Sequence, residues 1–133
     1  FKLAISLNGT TNEQREAIMP ITKKNSMADL LDASKKYTEQ SNTWLTFEYV
    51  LLKECNDSIE DAVRLIKLLY DIKKCKLNVI PYNETDGEFQ RPDQSKIRSF
   101  MSKLRSAPFP VTIRWSKGTD IDAGCGQLAV SDI

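Results

Sequence analysis

The run Trp44-Leu45-Thr46-Phe47-Glu48-Tyr49-Val50-Leu51-Leu52, followed by Asn56-Asp57-Ser58 and then by Ile59, Ala62, Val63, Ile66, Leu69 and Tyr70, decides the fold. Aromatic and β-branched side chains crowd residues 44–52, and such side chains suit a pleated, half-buried surface, so a strand is expected there. Short polar side chains at 56–58 satisfy the free N–H groups of a helix start, and the apolar residues behind them recur at helical spacing, which predicts a helix packed on a sheet. Leu77 to Ile80, ended by Pro81, reads as the next strand. A strand, a helix and a strand in that order make a parallel pair, because parallel neighbours need a crossover and a helix is the usual one.

The same alternation extends outward on both sides. Residues 2–7 form an apolar run suited to a buried strand, Thr11 and Gln14 have capping-box spacing, and the short helix they open should stop near Pro20. Ser26 starts another helix, with Met27, Leu30 and Leu31 on one face. Downstream, Asp93 is placed to cap a helix striped by Ile97, Phe100, Met101 and Leu104, and Val111 to Trp115 predicts a fourth strand. From Ser116 onward the chain is irregular and rich in Gly and Asp. With no repeat and no linker, residues 1–133 are expected to be one α/β domain of mainly parallel strands with flanking helices, and four such strands make half a barrel. Functional groups of such barrels follow the C-terminal ends of the strands, where this sequence holds Ser6 and Asn8, Lys53 and Glu54, and Asn83.

A length of 133 residues, 41% of them hydrophobic, is enough for a core but short for an enzyme that also houses a cofactor. The opening Phe1-Lys2-Leu3 already reads as strand, so a fragment is expected. Neither a signal peptide nor an apolar run long enough to cross a membrane stands in the sequence, and a cytoplasmic location is the expectation. Nineteen basic against eighteen acidic residues give a net charge of +1, which neither demands nor excludes nucleic acid. Three widely spaced cysteines fit neither a disulfide framework nor a zinc site of close pairs. The absence of histidine removes Ser-His-Asp and Cys-His nucleophile pairs and imidazole bases.

Asp120-Ile121-Asp122-Ala123-Gly124-Cys125-Gly126-Gln127-Leu128 sets a thiol between two glycines, where backbone freedom exposes sulfur. On composition alone an ordinary free cysteine outweighs a reactive one, and the carboxylates of Asp120 and Asp122 read as solvated. Cys55 and Cys75 flank a helix and are expected to be small buried hydrophobes. Arg114, Trp115 and Lys117 run into the Cys125 loop; an aromatic beside basic groups suits base stacking and phosphate contact, and a core position for Trp115 is the equal alternative.

Together these segments resemble a known family. Ile5-Ser6-Leu7, Ile18-Met19-Pro20-Ile21 with Lys23-Lys24, Thr46 through Leu52 followed by Asn56-Asp57-Ser58, Ile80-Pro81-Tyr82-Asn83 and the Asp120–Leu128 loop occur in the order and spacing of the bacterial dual-specificity radical S-adenosylmethionine RNA methyltransferases. Those enzymes modify adenine C2 in 23S rRNA and tRNA; the adenine-C8 resistance branch is similar. A radical enzyme acting on a non-RNA substrate, and a non-catalytic module, are the competing classes. The resemblance covers essentially the whole chain and implies the C-terminal half of a partial (βα) radical-SAM barrel. The upstream half, with the CxxxCxxC motif that binds a [4Fe-4S] cluster, is not in this sequence, so inactivity alone and self-association through an open sheet edge are expected.

Position by position, the resemblance makes Cys125 the methyl-carrying cysteine, and Ser6, Leu7 and Asn83 positions that contact S-adenosyl-L-methionine. Asn8 stands where histidine is commoner in the family. The implied scheme methylates the cysteine sulfur, and a radical derived from a second S-adenosylmethionine then takes hydrogen from that methyl group. An sp² adenine carbon is too poor a nucleophile for direct polar transfer. A second, resolving cysteine is implied upstream, since neither Cys55 nor Cys75 matches it.

Overall fold

A computed structural model describes residues 3–19, 26–83 and 89–115. Its elements run β1 (Leu3–Ser6), α1 (Asn12–Ile18), α2 (Met27–Ser41), β2 (Leu45–Leu51), α3 (Ile59–Leu69), β3 (Cys75–Pro81), α4 (Gln94–Leu104) and β4 (Val111–Ile113). The strands form one four-stranded sheet in the order β1-β2-β3-β4, every neighbouring pair parallel. This is the expected α/β half-barrel arrangement, each strand returned to its neighbour's start by helix.

Side chains in register across a parallel sheet share a face, and two rows of this sheet are chemically opposite. Ile5, Phe47, Leu77 and Val111 form one row. Their face carries the main core, in which Leu45, Phe47, Tyr49, Leu51, Leu77 and Val79 pack with Ala62, Leu65 and Leu69 of α3 and Ile97, Phe100 and Leu104 of α4. The Tyr49 and Phe100 rings stack at 5.7 Å between centroids. The next row is Ser6, Glu48, Asn78 and Thr112, and Thr112 hydrogen-bonds Asn78 across it. Here Glu48 and Asn78 are half-buried and Thr112 is exposed. Towards the strands' C-terminal ends the same face closes with a small apolar cluster of Val50, Leu52, Ile80 and Tyr82, against which Ile18 and Phe89 pack. Parallel sheets are ordinarily covered on both sides. This one keeps a polar face only partly covered by its own described residues.

Several local expectations shift. The apolar face of α3 is Ala62, Leu65 and Leu69, with the carboxylate Asp61 also buried, whereas Ile59 and Tyr70 are exposed. Ile59 occupies the first helical position and Tyr70 the C-cap, where the stripe no longer follows the sheet. Cys75, the first residue of β3, is the small buried hydrophobe expected, 1% exposed with its Sγ 3.9 Å from Leu69 O at the end of α3, and burial pushes its thiol up to about 11. Cys55 is exposed in the turn after β2, contrary to the buried hydrophobe expected; its thiol is also raised, by partial burial first and then by Asp57 and Glu54. The fourth strand ends at Ile113, and Trp115 lies outside the core at 49% exposure.

Candidate functional site

The carboxyl ends of β1, β2 and β3 meet in a set of hydrogen bonds centred on two asparagines. The chain leaves β1 through Leu7, whose N–H still donates to Glu48 O at 2.9 Å, and then turns at Asn8 with φ 52°. Asparagine tolerates that left-handed backbone better than most residues. Its Oδ1 accepts the Val50 N–H at 2.8 Å, and its Nδ2 donates to Met19 Sδ at 3.4 Å. Asn56 answers from the far side of β2: Nδ2 donates to Asn8 O at 3.1 Å and to Val50 O at 2.8 Å, while Oδ1 accepts the Leu52 N–H at 2.8 Å. Tyr49 Oη donates to Asn56 O at 2.6 Å. Both asparagines are buried, and each holds backbone groups that the ladder leaves unpaired at the strand end.

Gly9 follows, and a Cβ there would stand 3.0 Å from Gln14 Cβ and 3.1 Å from Arg15 N, so the loop passes too close to α1 for a side chain. That approach lets the buried Arg15 donate from Nε to Leu7 O at 2.9 Å and from Nη2 to Ser6 O at 3.2 Å. Thr11 caps α1 as expected, accepting the Gln14 N–H, but the carboxamide of Gln14 returns to Thr10 N at 2.7 Å rather than to Thr11.

Asp61 ties this loop to α3. It completes a capping box with Ser58, and its Oδ1 accepts from Thr10 Oγ1 at 2.6 Å, Gln14 Nε2 at 2.8 Å and Arg64 Nη2 at 2.8 Å. Burial opposes ionisation of this carboxyl, yet the hydrogen bonds from Thr10, Gln14 and Ser58 together outweigh it and hold the pKa below its ordinary value. The sequence reading missed Asp61. The signal available was its position three residues after Ser58, inside the helix-start pattern.

Of the expected cofactor positions, Ser6, Leu7 and Asn8 are buried and contiguous at the end of β1, and Asn83 is half-buried two residues beyond β3. The structure therefore brings them to one edge of the sheet, with β2 between them. Lys53 and Glu54 follow β2 on that edge, and Lys53 N donates to Gln90 O at 2.8 Å. Arg114 and Trp115 follow β4 there, with Arg114 N donating to Val79 O at 2.8 Å. Cys125, Asp120, Asp122 and Lys117 lie outside the described residues.

The donor set suits a hydrogen-bonding organic ligand better than a metal. Among the described residues no three His, Cys, Asp or Glu side chains stand together to hold a metal ion. The two described cysteines are separate and both have raised pKa values, so they do not fit an iron–sulfur cluster, whose ligands are thiolates. The polar row with Glu48 and Asn78, by contrast, offers acceptors and donors of the kind an adenosyl and amino-acid ligand requires. Among the described residues no helix is long and apolar enough to cross a membrane.

No family model matches the chain. Over all 133 residues it is 44% identical to the probable dual-specificity RNA methyltransferase RlmN of Pseudothermotoga lettingae, of whose length it spans 38%. It is 47% identical over 128 residues to the dual-specificity RNA methyltransferase of Desulfosudis oleivorans, covering 34% of it, and 47% identical over 127 residues to that of Geobacter sulfurreducens, covering 35%. Among solved structures it is similar to a radical SAM methyltransferase from Sphaerobacter thermophilus, with a TM-score of 0.84 and 36% identity, over 95% of this chain and 37% of the other. The chain thus spans just over a third of the length of the curated relatives named here.

Proposed function

Since the chain belongs by sequence to the dual-specificity RNA methyltransferase family, matching just over a third of its relatives' length, we propose that it forms the C-terminal half of a radical S-adenosylmethionine enzyme that methylates adenine C2 in 23S rRNA and tRNA in the cytoplasm. In this reading Cys125 carries the methyl group as S-methylcysteine, and Ser6, Leu7, Asn8 and Asn83 border the S-adenosylmethionine site. The observation that carries the proposal is the parallel sheet with one polar, partly open face, whose carboxyl edge gathers all four of those cofactor positions.

Bound S-adenosylmethionine supplies the methyl group. The buried Arg15 holds the carbonyls of Ser6 and Leu7, and Asn56 holds those of Asn8 and Val50, so the floor of the site is fixed before a ligand arrives. Cys125 stands between Gly124 and Gly126 in the sequence, so neither neighbouring residue places a side chain against its sulfur. Its thiol loses a proton as the sulfur accepts the methyl group. The family resemblance assigns the [4Fe-4S] cluster and the resolving cysteine to an upstream half, and the 133-residue chain alone is expected to be inactive.

The test is peptide mass spectrometry on the full-length protein, expressed in iron-replete cells. One additional methyl group on the peptide containing Cys125, lost in Cys125→Ala, is the expected result, together with 2-methyladenosine in nuclease digests of substrate RNA. An unmodified Cys125 in cluster-loaded protein supplied with S-adenosylmethionine would overturn the methyl-carrier assignment.

A further inference from the structure

We infer that Trp115, backed by Arg91, is a stacking platform for an unpaired RNA base adjoining the reacting nucleotide, an inference that rests on the RNA methyltransferase reading above. Trp115 is 49% exposed just beyond β4, and the guanidinium carbon of Arg91 stands 5.0 Å from its ring centroid. One side of the indole is therefore occupied by a cation, and about half of the residue remains open. The platform is fixed at both ends. Arg114 N donates to Val79 O and holds the exit of β4 against β3, while Gln90 O accepts the Lys53 N–H and pins the segment before α4 to the end of β2.

Charge selects the occupant. Arg91 Nε is buried without a hydrogen-bond acceptor, and neither Arg91 nor Arg114 forms an ion pair among the described residues. A buried guanidinium donor without an acceptor is costly, and a cation–π contact recovers only part of that cost. Asp93, the acidic residue nearest to Arg91 in sequence, is exposed and does not bridge to it. An aromatic surface backed by a guanidinium whose Nε has no acceptor matches a nucleotide, whose base stacks on the ring and whose phosphate takes the charge. The platform shares its edge with Asn83 and with the Ser6–Asn8 turn, and nine residues of chain separate Trp115 from Cys125. The other described tryptophan, Trp44, is similarly exposed at 46% and lies under Lys76 Nζ at 5.6 Å, but it precedes β2 at the opposite edge. It serves as an internal control.

The experiment measures the affinity of full-length, cluster-loaded protein for a labelled RNA hairpin with unpaired adenines in its loop. Trp115→Leu should weaken binding roughly tenfold, in line with the loss of one stacked base, while Trp115→Tyr and Trp44→Leu stay near the unaltered protein. Circular dichroism of each variant guards against simple unfolding. Equal affinity of Trp115→Leu and Trp115→Tyr, or an equal loss in Trp44→Leu, overturns the platform. Absence of any RNA binding by the unaltered protein overturns both the platform and the RNA methyltransferase reading. Trp115-dependent binding by a protein whose Cys125 is never methylated sustains the platform and overturns only the methyl-carrier assignment.

Discussion

Asp61 is a carboxylate where α3 meets the sheet, 2% exposed, and five hydrogen bonds converge on it. Leaving those donors without an acceptor, as Asp61→Ala does, is expected to cost roughly 3 kcal/mol or more, read from urea denaturation. The pH dependence has a definite sign. Because the folded pKa lies below the unfolded one, the unfolded chain takes up the proton first on acidification. The stabilisation is complete above the unfolded carboxyl range, around pH 4, and is lost as pH falls towards the folded value. Stability measured from pH 6 down to pH 2 should therefore fall more steeply in the unaltered protein than in Asp61→Asn; parallel curves would show that the carboxylate is not the titrating group. Residues of this kind were the least legible in the sequence. Asn8 read as a cofactor position and Asn56 as a helix cap, Arg15 and Asp61 drew no reading, and only long-range partners show all four to be buried. Asn56 illustrates the limit, since the helix-start pattern locates it along the chain but says nothing of its bond to Asn8 O, 48 positions away.

At the level of elements, the sequence pattern placed the four strands and four helices of the described residues, with errors confined to ends. Residues 44–52 became Leu45–Leu51, and residues 111–115 became Val111–Ile113. The reason is that a strand's ends are set by which neighbour is long enough to pair with it, a property of the partner. Caps behave in the same way. Ser58 accepts the Asp61 N–H at 3.0 Å and Asp61 accepts back from Ser58, whereas Asp93 occupies the N-cap of α4 without a side-chain cap bond. Ser58→Ala should thus cost about 1 kcal/mol and Asp93→Ala only a few tenths, in thermal or denaturant unfolding. Equal costs at the two positions would mean that the residue type, not the bond observed, determines the contribution.

For the whole molecule, the alternation of strand and helix was sufficient to give a parallel sheet in sequential order, because right-handed crossovers leave few other arrangements. What sequence did not reveal is the division of the sheet into an apolar face and a polar one. Thr46, Glu48, Lys76 and Asn78 alternate with apolar neighbours, but alternation does not tell which side another half of a barrel would cover. The edges carry a consequence for assembly. Within the described sheet β1 and β4 each pair on one side only, and an unpaired strand edge is a template for another chain. The isolated 133-residue chain is therefore predicted to self-associate, with sedimentation coefficients rising with concentration, while a single monomeric species across a wide range would refute this.

The turn at the end of β1 bears on the chemical ageing of the polypeptide. Asn8-Gly9 is the kind of dipeptide in which the glycine nitrogen readily closes on the asparagine carboxamide to give a succinimide and release ammonia. In the fold that carboxamide is tied on both sides, by the Val50 N–H and by Met19 Sδ, and the residue is only 4% exposed. Cyclisation requires both contacts to break, so the bonds that shape the sheet's carboxyl edge also shelter its most labile amide, and damage there belongs to the unfolded chain.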